Sequence, residues 1–430
     1  MVPFMDVGFL RGLREAVGGL LSVDEAELVA CSRDGSGLVA KPEAVVWPEN
    51  AEQVCGVLRL AWRSGVPVTP RGSGTNVVGG AVPVRGGVVL STVRMRRVLE
   101  VDVVGGEVLV EAGATWGDLC AELSRYGLFL PSTPLWEAST VGGCIAEGRL
   151  GATTQVYGCL RDWILGLEVA LPDGRLVWLD GRGGGPAGLF FSSWGLLGVI
   201  TKVRLRAFHK PKRRMLLQVF LDSAESALRI FEHASSQGLS PHMAEFLNRK
   251  ALKLSKGLDA EAPEHGALII GLDAYTGWGL RTKIRRLRNI ATKLGGQVVE
   301  ADSREKEDEI WALLRAGYWP PGAAQHVEVQ VQPKLLPNLL SRLGERLSDA
   351  FVAANMAAGR LRVSLLSKDA GLVEAVSDLA VELGGWAMAR LRRWGCRDAA
   401  QLMLRVKSLL DERGIMNPGK EQIYGDAERR

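Results

Sequence analysis

Apolar and polar positions change rhythm several times along the chain. Residues 6–30 read as two short helices, and AVVWPEN (44–50) is an apolar run ending in a turn, which predicts a strand. Glu52 to Gly65 carries apolar residues at helical spacing and stops at a glycine, after which VPVTP (66–70) predicts another strand. A strand, helix, strand unit therefore leads into the glycine-rich stretch PRGSGTNVVGG (70–80). From Gly87 the apolar runs shorten to β length: VVLST, VLEVD, EVLVEAG and LEVALPDGRLVWLD. In the last of these, Asp173-Gly174 sits between alternating runs, a hairpin signal.

A different rhythm begins after residue 214. Strand MLLQVFLD, helix SAESALRIFEHASSQ closed by Gly238 and a strand around MAEFLN are followed by ALIIGLDAY, a helix over 278–294 closed by Gly295-Gly296, and QVVEAD. Two successive β-α-β units of this length predict a split βαβ, ferredoxin-like sheet with helices on one face. Helices alternating with HVEVQVQP and RLRVSLL continue it over 303–390, and a helix over 398–413 leads to GIMNPGK, a turn too polar for a core. The chain therefore reads as α+β, with an N-terminal helical segment (1–40), a strand-rich domain (41–210), an α+β domain (211–390) and a C-terminal segment (391–430).

Length fits this division, because 430 residues exceed one ordinary core. The 52 glycines, without a collagen period, imply many turns or close backbone approaches. Cys31, Cys55, Cys120, Cys144, Cys159 and Cys396 are scattered, with no C-x-x-C pair, so no zinc or iron–sulfur ligand set is visible and a reducing, cytosolic setting is the simpler reading. Asp6 interrupts the N-terminus where an export signal would be apolar. Gly183 to Thr201 has 19 consecutive uncharged residues, but six are glycine and one is proline, which favours a non-spanning segment.

The net charge is +5, concentrated at HKPKRR (209–214), RTKIRRLR (281–288) and LRRWGCR (391–397). Leu280, Ile284, Leu287, Ile290 and Leu294 recur at helical spacing, so the arginines between them form the wet face of an amphipathic helix. Without interleaved aromatics or a binding motif, the charge does not indicate nucleic acid. An acidic partner subunit or peripheral docking on an anionic membrane surface stays open.

The glycine stretch has several readings. A Rossmann turn needs G-x-G-x-x-G opening a helix, but after Gly72 and Gly74 the next glycine is Gly79, and VPVRGG follows. A P-loop needs Gly-Lys-Ser/Thr, which is missing. A nest of successive amides for an anionic group remains, with Arg71 adding charge and Thr75 and Asn76 side-chain hydrogen bonds. A plain structural turn remains open beside it. Two further glycine clusters, STVGGCIAEGRLGATTQVYG (139–158) and WGLLGVIT (194–201), favour a ligand.

With these clusters, the order PRGSGTNVVGG, STVGGCIA, VYG with LRDWILGLEVALPDG, LFFSSWGLLGVITKVRLRAF and LLDERGIMNPGK resembles the vanillyl-alcohol oxidase / p-cresol methylhydroxylase (PCMH-type) flavoproteins, in the glycolate oxidase and D-lactate dehydrogenase branch. The resemblance implies a two-subdomain PCMH-type FAD-binding domain, a ferredoxin-like α+β cap that meets substrate, and a C-terminal segment returning to the FAD domain. It implies that Pro70, Arg71, Gly72, Ser73, Gly74, Thr75, Asn76, Gly79 and Gly80 wrap the FAD pyrophosphate. It also implies that Ser139, Thr140, Gly142, Gly143, Ala146 and Gly158 line the flavin side, that Gly198, Val199 and Ile200 offer backbone groups, and that Asn417 ties back the C-terminus. Members with covalent flavin have histidine where Thr75 stands, so non-covalent FAD is implied. Cys144 reads as a small buried residue more readily than as a reactive thiol.

The pattern breaks in the second domain. Members that oxidise 2-hydroxy acids carry an H-x-G-D-G-N-x-H stretch holding a metal and a later G-E-H-G stretch supplying a base; here NMAAGRLRVSLL (355–366) and GGWAMARLRRWG (384–395) stand in those places. The chemistry needs a base for the hydroxyl proton and a cation for the carboxylate. None of His209, His233, His242, His265 and His326 has a metal-ligand partner at suitable spacing, so no metal is expected. Arg315, in IWALLRAGY, resembles the arginine of a W-x-x-R motif that holds carboxylate, or is a helix-surface arginine. His326, in AQHVEVQVQP, faces the flavin or is a solvated strand histidine. With GGWAMARL and NPGK the chain looks most like the smaller FAD-binding subunit of glycolate oxidases. That implies a 2-hydroxy acid such as glycolate or D-lactate as substrate, and electrons leaving to a non-oxygen acceptor or partner. The alternative is a non-catalytic FAD-bearing or relay subunit beside a catalytic flavoprotein and an iron–sulfur protein. A cytoplasmic location follows, with peripheral contact at the inner membrane face open.

Overall fold

The computed structural model describes residues 5–131, 137–149, 151, 153–221, 223–254, 266–389, 392–394 and 397–421; His265 and Cys396 lie outside them. Strands β1 (Leu21–Ser22), β2 (Ala44–Val46), β3 (Val68–Arg71) and β4 (Val88–Ser91) form a sheet of order β1-β2-β4-β3. β2, β4 and β3 are parallel, because the helix Ala51–Ser64 carries the chain back between β2 and β3. Asn50 caps that helix by accepting from the Gln53 amide at 2.9 Å, and Gly65 ends it at φ 65°. Its Val54, Leu58 and Ala61 meet Val68, Val88 and Leu90 in one core. β1 pairs with β2, so the first 40 residues contribute to this sheet instead of standing apart.

The chain continues through β5 (Val98–Asp102), β6 (Glu107–Glu111), β7 (Leu128–Phe129), β8 (Ile164–Ala170), β9 (Leu176–Asp180), β10 (Val199–Arg206) and β11 (Phe208–His209). Five of these form a sheet of order β5-β6-β10-β8-β9, antiparallel throughout, while β7 and β11 pair separately. β8 and β9 close on the hairpin containing Asp173-Gly174. The uncharged 183–201 stretch holds two short helical turns and then an irregular segment leading into β10, and no helix among the described residues is long and apolar enough to cross a membrane.

The second half holds β12 (Arg213–Leu221), β13 (Met243–Asn248), β14 (Gly266–Ala274), β15 (Gln297–Glu300), β16 (Gln325–Gln330), β17 (Phe351–Asn355), β18 (Arg360–Leu365), β19 (Trp386–Ala389) and β20 (Arg392–Trp394). They make one sheet of order β15-β12-β14-β13-β17-β18-β16-β19-β20. The first four follow the ferredoxin-like order, two split βαβ units interlocked, with helices Ala224–Ser236 and Gly277–Lys293 as crossovers. β16 to β19 repeat the arrangement with helices Leu336–Leu343 and Ala370–Glu382, and the two repeats join edge to edge where β13 pairs β17. The strand β17, within FVAAN, is hidden in the sequence because all five of its residues are buried and show no alternation.

Helices cover both faces of this sheet, not one. The crossover helices share a core with Leu217, Val219, Val327 and Val363. The helix Arg304–Tyr318 packs Ile310, Leu313 and Leu314 against Leu247, Ile269 and Ala353 on the opposite side. The sheet also runs past residue 390 to Trp394. The helix Arg397–Leu410 then leaves it and brings Met403, Val406 and Leu410 onto the core of the five-stranded sheet. GIMNPGK is not a polar surface turn: Asn417 and Lys420 are buried, and Ile415 to Asn417 extends the first sheet along β3. The amide of Val68 donates to Ile415 O, and that of Asn417 to Val68 O, each at 2.7 Å.

Candidate functional site

The three glycine clusters meet in one cleft with about 770 Å³ of empty space. PRGSGTNVVGG is the connection after β3; STVGGCIA opens the helix Val141–Glu147, capped by Thr140; WGLLGVIT enters β10. Close approach demands glycine here. A Cβ on Gly72 would lie 2.0 Å from Thr140 Oγ1, and one on Gly80 would lie 2.7 Å from the Trp194 ring. Gly74 has φ +73° and nowhere for a Cβ except the Arg71 guanidinium, 2.2 Å away.

Pro70 to Asn76, Gly80, Ser139, Thr140, Gly142, Gly143, Ala146 and Gly198 to Ile200 all line this cleft. The side chains of Thr75 and Asn76 serve the loop itself. Thr75 Oγ1 is 2.8 Å from Ser139 Oγ, tying the first cluster to the second, and Asn76 Oδ1 accepts from the amides of Val78 (2.9 Å) and Gly80 (2.8 Å). Three candidates are placed elsewhere. Gly158 ends the helix Thr154–Tyr157 at φ +76° and does not line the cleft. Gly79 and Asn417 are braces behind it: Gly79 O accepts from Lys420 Nζ (2.6 Å), and Asn417 Nδ2 donates to the carbonyls of Gly80 (3.1 Å) and Trp194 (2.6 Å).

Arg149 is a cleft residue that motif reading missed. It is buried, donating to Ser139 Oγ (2.7 Å), Glu147 Oε2 (2.8 Å) and Thr75 O (3.3 Å). Trp194 at the cleft wall keeps a buried Nε1 without a protein partner. Cys144 is buried and its thiol is pushed up to about 11 by burial, so it is inert at neutral pH. An elongated cleft of backbone amides with two guanidinium groups fits a dinucleotide pyrophosphate and a flat ring.

The cap sheet presents a polar face to this cleft. Cross-strand register aligns Glu245, Asn355, Arg360, Gln330 and Trp386 in one row, Arg362, Glu328 and Met388 in a second, and Ser364 with His326 in a third. Trp386 and Met388 join Trp319 in a cluster with Val77, Val78 and Trp194 of the cleft loops, so this face is roofed by the first domain. Glu328 pairs with Arg360 and, at 3.4 Å, with Arg362. Burial opposes its ionisation, but Arg360, Arg362 and Arg149 together hold its carboxyl below the usual range. His326 belongs to this face, its Nδ1 2.8 Å from Ser364 Oγ. Arg315 does not: it is exposed, because Leu313, Leu314 and Gly317 take the buried side of the helix.

Glu245 lies beneath, accepting from Tyr318 Oη (2.6 Å) and Asn355 Nδ2 (2.8 Å). Burial raises its pKa to about 7, against the opposing pull of those bonds and of Arg360. The folded value exceeds the unfolded one, so folding stability falls as pH rises from about 4.5 to about 7 and levels off above. Urea unfolding across that window is expected to show this slope in the native chain and its loss in Glu245→Gln; parallel pH profiles would refute it.

Comparison with known proteins agrees with this geometry. Residues 42–180 match the FAD binding domain family, and residues 210–362 match the C-terminal domain of FAD linked oxidases. The chain is similar to the mitochondrial D-lactate dehydrogenase [cytochrome] of Arabidopsis thaliana, 28% identical over 88% of this chain and 73% of that one. It is also similar to the glycolate oxidase subunit GlcD of Bacillus subtilis, 29% identical over 64% of this chain and 60% of that one. The fold is that of p-cresol methylhydroxylase, with a TM-score of 0.75 at 16% identity, covering 98% of each chain. A PCMH-type FAD-binding domain followed by the oxidase C-terminal domain makes this chain a member of the FAD-linked oxidases, with FAD as its cofactor.

Proposed function

We propose that this chain is a dehydrogenase subunit that oxidises a small 2-hydroxy acid of the glycolate or D-lactate kind and passes the electrons to a partner or other non-oxygen acceptor. The observation that carries the reading is the juxtaposition of a glycine-lined FAD cleft with a buried, arginine-rich face of the cap sheet. FAD supplies the two-electron acceptor. Arg71 and the amides of 72–76 suit its pyrophosphate, Ser139, Thr140 and Ala146 the flavin side, and Thr75 offers no nucleophile, which favours non-covalent attachment. The cap excludes water and holds the substrate's charged end. His326 is the group on this face suited to take the hydroxyl proton, and its hydrogen bond to Ser364 fixes its ring. The free thiols of Cys31, Cys55, Cys144 and Cys159 suit a reducing compartment.

A second reading, an FAD-bearing relay subunit of a larger complex, is favoured by one observation. Aligning Gly359 with the second glycine of H-x-G-D-G-N-x-H puts Asn355, Arg360 and Arg362 where the metal-binding pattern has histidine, asparagine and histidine. Dye reduction separates the two. The isolated, FAD-loaded chain is expected to reduce a ferricyanide or phenazine dye with glycolate or D-lactate; reduction that appears only with partner subunits added would replace the first reading with the second.

A further inference from the structure

Arg362 is the most unusual charged group in the cap. Its side chain is 6% exposed, yet Nε and Nη1 have no hydrogen-bond partner, and only Nη2 reaches a carboxylate, Glu328 at 3.4 Å. Leaving donors of a buried cation unpaired costs more than an ordinary lost hydrogen bond, so such an arrangement persists where a ligand completes it. Arg360, two residues along the same strand and on the same face, is half-buried and also pairs with Glu328. Arg149, on the FAD side, adds its charge to those that favour the ionised carboxylate. Two guanidinium groups thus pair with Glu328, while Arg149 is paired with Glu147.

We propose that Arg362, seconded by Arg360, is the carboxylate-binding site of this chain, a fixed organic cation that receives a small mono- or dicarboxylate against the flavin cleft. Nε and an Nη of one guanidinium match the two oxygens of a carboxylate in a bidentate fork. The half-buried Trp319 ring lies 5.0 Å from the Arg362 guanidinium and covers it, so only a small acid fits and that ring must move aside for entry. The inference rests on the hydroxy-acid reading above for the identity of its ligand, but not for the existence of an anion site.

The test is a titration of the FAD-loaded chain with oxalate, read from the flavin absorbance at constant ionic strength. Oxalate is expected to perturb the native spectrum saturably. Arg362→Met should weaken it by about 30-fold or more, in the range of a lost charged hydrogen-bond pair, and Arg362→Lys by less. Arg342→Met, which removes a surface pair with Glu382, should leave it unchanged. Should Arg362→Met not retain flavin, Arg362→Lys and Arg360→Lys carry the comparison, and added guanidinium should restore part of the binding in Arg362→Ala. Oxalate binding equal in native and Arg362 variants, or none in the native chain, overturns the proposal. If glycolate and D-lactate reduce native and variant flavin equally, the site is wrong and the hydroxy-acid reading stands. If oxalate binding depends on Arg362 but neither acid reduces the flavin, the site stands and that reading fails.

Discussion

Gly74→Val is expected to purify as a colourless protein. Two costs act together at this position. The backbone has φ +73°, which a β-branched residue adopts at a penalty of roughly 1–2 kcal/mol. The new Cβ would also fall 2.2 Å from Arg71 Nη2, while the same guanidinium donates to Ala81 O at 3.2 Å through Nη1. Valine therefore distorts the nest and drives out its cation at once, and a charged hydrogen bond to phosphate is worth about 1.5–3 kcal/mol. The sum corresponds to a loss of FAD affinity on the order of a hundredfold or more. Absorbance at 450 nm against 280 nm measures it. Gly238→Ala is the control, because Gly238 has φ +72° with nothing within 4 Å of a Cβ. That variant bears the backbone penalty alone and should keep its flavin; a fully yellow Gly74→Val protein would falsify the nest.

How much of this was legible in the sequence depended on what each pattern was a pattern of. The glycine clusters could be read because glycine reports a local requirement, and the order of several clusters reports a fold. The split βαβ units of 215–302 were legible for a similar reason: helical and strand periods alternate, and Gly238 and Gly295 mark the ends. The polar face of the cap was not. HVEVQVQ and RLRVSL alternate as a half-exposed strand would, and alternation alone sends the polar side to solvent. Here Glu328, Arg362 and Ser364 are instead covered by the FAD domain, a fact of tertiary assembly that strand period cannot carry. Arg315 misled for the converse reason. Its spacing from Trp311 resembled a motif, but the helix turns its apolar residues inward and leaves that arginine outside.

The resemblance implies that NPGK returns to the FAD domain, yet the residues that hold it there are charged, and burial of charge is the least expected use of Lys and Asp. Lys407 and Asp411, both buried, pair at 2.7 Å. Lys407 Nζ also donates to Leu196 O (3.3 Å) and Met416 O (2.8 Å), while Asp411 accepts from the amides of Ile415 (3.0 Å) and Met416 (2.8 Å). Lys420 donates to Gly79 O and Val82 O from the next turn. This clasp fixes the strand that lies along β3 and braces the third glycine cluster from behind.

Asp411→Ala should therefore be the most damaging substitution outside the cleft. It strands the Lys407 charge in a buried site and frees two amides, a loss of about 3–5 kcal/mol by the usual cost of breaking a buried pair. Because the clasp backs Leu196 and the edge strand beside β3, the damage should reach the cofactor before the cap. Flavin fluorescence on heating is expected to rise at a lower temperature than the loss of far-UV dichroism, whereas in the native chain the two coincide. The double variant Lys407→Met/Asp411→Leu removes both charges and should recover part of the loss. Recovery stays incomplete, since the carbonyls of Leu196 and Met416 and the freed amides keep no partner. A double variant as unstable as the single one would mean that the hydrogen bonds to the backbone, not the charge pair, hold the C-terminus in place. Flavin release at the native temperature in Asp411→Ala would mean that the cleft does not depend on this clasp at all.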